Sequence, residues 1–442
     1  MIELACQKRQ QLFDAMPDNA LVLVTSGHEA IRNRDVEYPF RAESDFFYLT
    51  GFDEPEACLV MTKKPDADNQ MTQRTGMFLR PKDPQQEVWE GKRLGVDMAP
   101  DVLKIDQAWS KQQLNETLPQ WLEGVDTIWL SFEQLDVWQP ILQPIIRSLK
   151  AQARKGKVAP TQLQDLDSVL HEMRLIKSSE EVALIKKAAQ VSVQGHLSAM
   201  QSVAAQRFEY QLQADVEATF KRHGAKREAF ATIVAAGENA CVLHYTENRA
   251  AIAQGDLVLV DAGAEFEGYA GDITTTFPAN GHFSAPQARL YNWVLKAQRA
   301  AIDCIAPGVS YFKVHETARR VLVEGLVDCG ILQGDVDELI EAEAFKPYFM
   351  HGTSHWLGMD VHDVGAYKQS SVWRKLEPGM VLTVEPGLYI APDSQAPEAY
   401  QGIGIRIEDD VVVTENGHEN LTLGLPRTVT EIEQWMQANA GK

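Results

Sequence analysis

Hydrophobic and polar positions change period along this chain, and those changes divide it into two parts. Toward the amino terminus, Ala20–Thr25, Phe46–Leu49, Ala57–Met61, Gly76–Leu79 and Thr127–Ser131 are short apolar runs that read as strands. Leu4–Met16 and Leu135–Ala151 carry a helical period around them, so this part is predicted to be an α/β domain. The basic, polar stretch Lys150–Gln164, with Gly156 and Pro160, reads as a linker or surface crossing. The boundary is placed after it, giving an N-terminal domain over residues 1–172 and a second domain over 173–442.

The second domain repeats one order of elements. Ser178 and Glu181 form a capping box ahead of Val182, Ile185, Ala189 and Val193, and Phe208, Leu212, Val216 and Phe220 mark a second helix stopped near Gly224. Strands follow. A helix from Ser284 to Ile305 ends before Pro307-Gly308, Ser310 opens another that stops near Gly330, and strands follow again. Two helices and then strands, twice over, predict an α+β domain of pseudo-twofold layout, although no sequence repeat accompanies it.

Composition narrows the functional classes. A length of 442 residues suits two domains, and 45% hydrophobic with 24% charged residues is ordinary for a globular chain. The net charge of −20 argues against nucleic acid as a partner. Met1–Gln10 lacks the basic-then-apolar layout of a signal peptide, and no uninterrupted apolar run is long enough to span a membrane. Five cysteines without C-x-x-C spacing fit reduced thiols. The expectation is a cytoplasmic protein with no membrane partner.

The chemistry lies in the second domain, where Asp261, Asp272, His355, Glu385 and Glu408 stand in order as candidate metal ligands. Gly255–Gly263 reads as a strand, Glu265–Gly268 as a turn and Tyr269–Phe277 as a second strand. A hairpin centred between Phe266 and Glu267 would set Asp261 directly opposite Asp272 on a strand buried on both faces. Two carboxylates so placed need a proton or a cation between them. Glu385 ends the apolar strand Met380–Val384, and alternation over Ile403–Glu408 puts Arg406 and Glu408 on one face. His351, His355 and His362 cluster within twelve residues, with His244 a further candidate, whereas His28, His196, His223, His315 and His418 read as ordinary structural histidines. Four carboxylates and one imidazole make an oxygen-rich site for two divalent cations. Manganese or magnesium is favoured, with iron or cobalt possible. A serine or cysteine hydrolase is disfavoured by the absence of G-x-S-x-G, and nucleotide use by the absence of a P-loop or G-x-G-x-x-G.

The segments GENACVLHYTEN, VLVDAGAEFEGYAGDITTTFP, MHGTSHWLGMDVHDVG, VLTVEPGLYI and GIGIRIEDDVVVTENG resemble the aminopeptidase P (Xaa-Pro aminopeptidase) family of pita-bread metallopeptidases. Upstream, VEYPF and SDFFYLTGFDEPEACLV extend the likeness over nearly the whole chain. The resemblance implies an N-terminal domain of the aminopeptidase P type, a pita-bread catalytic domain and removal of the first residue from peptides with proline second. It implies two metal ions, manganese foremost, bridged by Asp272 and Glu408, with Asp261 completing one and His355 and Glu385 the other. A hydroxide shared by the metals would attack the scissile carbonyl, with Glu385 accepting a proton. His244, His351 and His362 would hold substrate and stabilise the oxyanion, and Arg406 would orient Glu408 or its neighbouring acids. Trp89 and Tyr389 are carried over to the substrate pocket, Trp89 reaching a neighbouring subunit in a homotetramer, with a dimer as the alternative. Tyr367–Leu376 departs from the family pattern, which puts contacts to longer peptides there in doubt. A prolidase confined to Xaa-Pro dipeptides is the runner-up, and a metal-free pita-bread interaction protein is the non-catalytic rival.

Overall fold

The computed structural model describes residues 1–66 and 68–439. The chain forms two compact units, Met1–Met173 and Arg174–Lys442.

In the first unit a mixed six-stranded sheet runs in the order Gln107–Ser110, Met71–Leu79, Cys58–Pro65, Ala20–Thr25, Thr127–Leu130, Gln162–Asp165. Ala20–Thr25 pairs antiparallel with Cys58–Pro65 and parallel with Thr127–Leu130. Period-2 alternation turns Leu21 and Leu23 to the face that also carries Val60, Phe78 and Ile128. Trp138, Leu142, Ile145 and Leu149, at helical spacing on Leu135–Ala151, cover it.

Two expectations fail in this unit. Phe46–Leu49 is not a strand: Ser44–Thr50 is a helix, capped by the Glu43 carboxylate accepting from Phe46 N–H and closed by Gly51 at φ +62°. Its end signals override the strand preference of Phe-Phe-Tyr. The polar stretch taken as a linker contributes Gln162–Asp165 as an edge strand, whose exposure explains why it carries no apolar signal.

In the second unit, helices Ser179–Ser202 and Glu209–Arg222 precede a three-stranded sheet of Ile233–Ala236, Leu257–Asp261 and Thr274–Pro278. The Ser178–Glu181 box is reciprocal: Ser178 Oγ accepts from Glu181 N–H at 3.3 Å, and Glu181 Oε2 accepts from Ser178 N–H at 2.8 Å. Helices Ala285–Asp303 and Tyr311–Asp328 precede a second sheet of Val381–Val384, Asp409–Thr414 and Gly417–Asn420, with Gly387–Ile390 paired to Ile403–Arg406. The helix–helix–strands order therefore occurs twice, as a pita-bread domain requires. A short helix at Val336–Glu341 was not anticipated.

The two halves meet along a hydrogen-bonded seam. Glu408 N–H donates to Thr274 O at 3.1 Å, Thr276 Oγ1 donates to Arg406 O at 2.9 Å, and Asp272 N–H donates to Asp410 Oδ2 at 3.1 Å. Leu257–Asp261 is buried on both faces, Val258 and Val260 in the main core and Leu259 against Ile233, Ala235 and Ala240. His196, read as structural, is fully buried, with Nε2 donating to Ala262 O at 2.9 Å and Nδ1 accepting from Thr275 Oγ1 at 2.8 Å. Burial pushes it down to about 4, so it serves as a neutral pin beneath the hairpin.

Gly263 makes the closest approach in this region. A Cβ there would lie 1.7 Å from the Gly271 carbonyl oxygen, a backbone atom that cannot rotate aside. Gly263→Ala is expected to destabilise the protein by about 3 kcal/mol or more, read from the midpoint of denaturant unfolding; a midpoint within error of wild type contradicts this packing.

Candidate metal centre

The first two acids are placed by a tight hairpin. Its turn is Glu267-Gly268, with φ +50° and +83°, the primed geometry whose twist matches that of the flanking strands. Phe266 faces Tyr269, Glu265 faces Ala270, and Asp261 faces Thr274. The expected register is therefore corrected: Asp261 does not sit opposite Asp272, because the turn is centred one residue further along than Phe266-Glu267. Asp272 lies nearer the turn, in the break between Tyr269–Ala270 and Thr274–Pro278. An offset of two residues keeps the same face of a strand, and both acids line one cavity of about 790 Å³.

The other half brings the remaining ligands to that cavity. Glu385 follows Val381–Val384 and is fixed by its N–H donating to Thr353 O at 2.8 Å. His355 N–H donates to Thr383 Oγ1 at 3.2 Å, Thr383 N–H donates to His355 O at 3.0 Å, and His355 Nδ1 lies 3.0 Å from Trp356 O. A carbonyl can only accept, so Nδ1 carries the proton and Nε2 is left with its lone pair toward the acids. Nε2 stands 3.4 Å from Asp272 Oδ2 and 3.7 Å from Glu385 Oε1. Ligand atoms of Asp272, His355 and Glu408 all lie within 4.8 Å of one another. Asp261 and Glu385 flank them on the cavity wall.

Arg406 and Glu408 both face the cavity, while Ile405 and Ile407 enter the core, as the alternation predicts. Arg406 pairs with the neighbouring Asp261 rather than with Glu408 itself. Nη2 donates to Asp261 Oδ2 at 2.6 Å, Nε to Thr274 Oγ1 at 3.1 Å and Nη1 to Tyr389 Oη at 3.0 Å. Glu408 instead accepts from Thr274 Oγ1 at 2.6 Å. Tyr389 is carried to a different place from the one expected: it is buried behind the cavity wall and donates to His351 Nε2 at 2.8 Å, while His351 Nδ1 donates to Gly352 O at 2.6 Å. Arg406, Tyr389 and His351 thus form one directed chain. His362 packs edge-on against His355 with ring centroids 4.3 Å apart, and His244 and Leu243 also line the cavity. Trp89 belongs to the other unit, on the Pro84–Glu90 helix, and is 87% exposed.

Two contributors were given no role from the sequence. Thr274 divides its hydroxyl between Glu408 and Arg406, and Asp410 accepts from the Asp272 N–H while its Oδ1 is buried without a partner. Three consecutive threonines within a fully buried strand were the available signal for the first.

Electrostatics define what the cavity holds. Among the described residues lining it, Arg406 is the one permanent cation against Asp261, Asp272, Glu385 and Glu408. Burial, then Asp261, Asp410 and Glu385, hold Asp272 well above the usual carboxylate range. Burial, then Asp272, Glu385 and Asp261, do the same to Glu408. Glu385 is pushed up to about 7, chiefly by burial, against the pull of His355 and Arg406. Ionised together, Asp272 and Glu408, within 4.8 Å, would repel by roughly 3–4 kcal/mol at an effective dielectric constant near 20. One guanidinium cannot offset that. Asp261 Oδ1 is also buried without a hydrogen-bond partner, so donor set, charge and unpaired lone pairs all fit hard divalent cations.

Fold and site together define a dinuclear-type metallopeptidase, and the chain belongs to metallopeptidase family M24, which matches residues 183–415. Residues 5–129 match the aminopeptidase P N-terminal domain. A step further, the chain is 46% identical over 432 residues to the Xaa-Pro aminopeptidase of Escherichia coli, covering 98% of this chain and 97% of that one. It is 44% identical over 430 residues to that of Haemophilus influenzae, covering 97% and 96%. Among solved structures, Pseudomonas aeruginosa aminopeptidase PepP superposes with a TM-score of 0.96 at 46% identity over 99% of this chain and 98% of that one. Zinc-substituted Escherichia coli aminopeptidase P in complex with product gives 0.96 at 45% identity over 100% and 99%.

The protonated acids have a sign that can be tested. Carboxylates raised above their unfolded value contribute stability that is present at low pH and lost as pH rises through the folded value. For Glu385 that window runs from the ordinary 4.5 to about 7. Metal-free protein is therefore expected to lose stability across this range, and protein saturated with manganese is not. Parallel pH profiles of thermal unfolding for the two forms contradict the assignment.

Proposed function

We propose that this chain is an Xaa-Pro aminopeptidase, a metal-dependent hydrolase that removes the first residue from peptides with proline in second position. The observation that carries the reading is the convergence of Asp272, His355 and Glu408 within 4.8 Å, on a cavity that also has an apolar wall. Asp261, Asp272, His355, Glu385 and Glu408 would hold two divalent cations; manganese is our choice from the oxygen-rich set. When bound, the pair supplies a water acidic enough to act as a nucleophile at neutral pH.

The chain's own residues supply the rest. Glu385, on the cavity wall beside His355, is our choice to take the proton of the attacking water. Burial, then Arg406, hold His351 down at about 3, so it meets substrate as a neutral ring in the Nδ1–H form. Burial pushes Tyr389 up to about 12, which keeps its hydroxyl able to donate to that ring. Proline offers no N–H, so it must be recognised by shape, and Phe230, Leu243 and Val361 beside His244 and His362 form walls suited to its ring. The catalytic machinery falls within 173–442, with 1–172 as the N-terminal domain. Among the described residues no helix is long and apolar enough to cross a membrane. The five free cysteines support a cytoplasmic setting.

Hydrolysis of an Xaa-Pro-Xaa tripeptide is expected, lost on chelation and restored by manganese. Cleavage confined to Xaa-Pro dipeptides would move the assignment to prolidase, and full turnover after metal removal would end the reading. The exposed pair Val88 and Trp89, 80% and 87% accessible on a helix with no buried residue, supports assembly into a tetramer. Sedimentation should return four chains, with Trp89→Ala raising KM for peptides; a wild-type monomer contradicts this part of the proposal.

A further inference from the structure

The loop joining Ile233–Ala236 to Leu257–Asp261 carries His244 onto the metal cavity, and one carboxylate outside the cavity accepts from three donors of that loop and one at the strand end before it. Glu209, the first residue of the Glu209–Arg222 helix, is fully buried. Its Oε1 accepts from Ala236 N–H and from Asn239 Nδ2, each at 2.9 Å. Its Oε2 accepts from Tyr245 Oη and Ala250 N–H, each at 2.8 Å. Asn239 Nδ2 also donates to Tyr245 Oη at 3.1 Å, and Glu209 N–H donates back to Ala250 O at 3.1 Å. A second pin sits further along: Asn248, in a left-handed conformation at φ +49°, accepts from Val234 N–H at 3.0 Å and donates to Thr232 O at 2.8 Å.

Among the described residues no cation pairs with Glu209; burying such a carboxylate is costly, and an apolar side chain would fill the same space more cheaply. What the carboxylate alone provides is two oxygens that accept from four donors at once. Those donors come from the strand end before the loop, from both sides of His244, and from the loop's return. We infer that Glu209 is a positioning residue for the reaction: it sets the loop so that the His244 imidazole stands over the cavity. The kinetic consequence rests on the peptidase reading above, whereas the structural consequence does not.

Glu209→Gln keeps the shape and turns one oxygen into a donor facing a pair of donors. With metal content unchanged, kcat/KM for an Xaa-Pro-Xaa peptide is expected to fall about tenfold or more, while in a His244→Ala background the same change costs less than about twofold. An equal factor in both backgrounds would mean general loosening and overturns the inference. Tyr245→Phe, which deletes one donor and keeps the ring, reads the same coupling if Glu209→Gln does not fold. Amide hydrogen exchange provides the second arm. The amides of Ala236, Ala250 and the residues between them should exchange faster in Glu209→Gln, with the Leu257–Asp261 and Thr274–Pro278 strands unchanged. Unaltered loop exchange overturns the inference even if peptide turnover falls. A wild-type protein inactive on peptides overturns the functional reading instead, and leaves the exchange arm to decide on the clamp.

Discussion

The constraint on which the second unit depends is mutual repulsion among buried carboxylates. Among the described residues, Asp261, Asp272, Glu385 and Glu408 share one cavity with a single guanidinium, and Asp410 lies behind them with an unpartnered oxygen. A fold keeps such a group only if something outside the chain's own charges offsets it. The architecture follows from that requirement. Each half of the repeated helix–helix–strands order delivers one set of acids, and the seam from Asp272–Thr276 to Arg406–Asp410 locks the two sets together.

Behind the acids, hydrogen bonds with uncharged side chains and backbone carbonyls carry the precision. Thr274 serves Glu408 and Arg406 from one hydroxyl. Trp356 O fixes the tautomer of His355, and Gly352 O fixes that of His351. His196 ties the Asp261–Asp272 hairpin to the helix beneath it. None of these groups needs to change charge while the reaction proceeds. The candidate ligands and the imidazoles beside them are therefore held in fixed orientations.

Much of this was legible in the sequence, for physical reasons that can be named. Leu257–Val260 is apolar at every position, so an aspartate ending it had to be buried. Strict alternation over Ile403–Glu408 put Arg406 and Glu408 on the wet face. Ser178 and Glu181 announced their helix through a local rule that tertiary packing does not override. What stayed hidden depends on contacts remote in sequence. The hairpin register turns on which two residues accept positive φ, and Glu267 gave no hint that it would join Gly268. Tyr389 could not be placed behind the wall without knowing that Arg406 and His351 flank it. Phe46–Leu49 resembles a strand until its Glu43 and Gly51 ends are weighed. Glu209 looks like any first-turn acid, and only the folded loop reveals four donors aimed at it.

The most direct test of the central claim is anomalous scattering from crystals of the protein soaked with manganese. The account predicts two peaks in the second unit, both in contact with Asp272 and Glu408, with Asp261 on one and His355 and Glu385 on the other. A cavity that shows no peak at saturating metal, with its carboxylates in place and the protein still active, would contradict it.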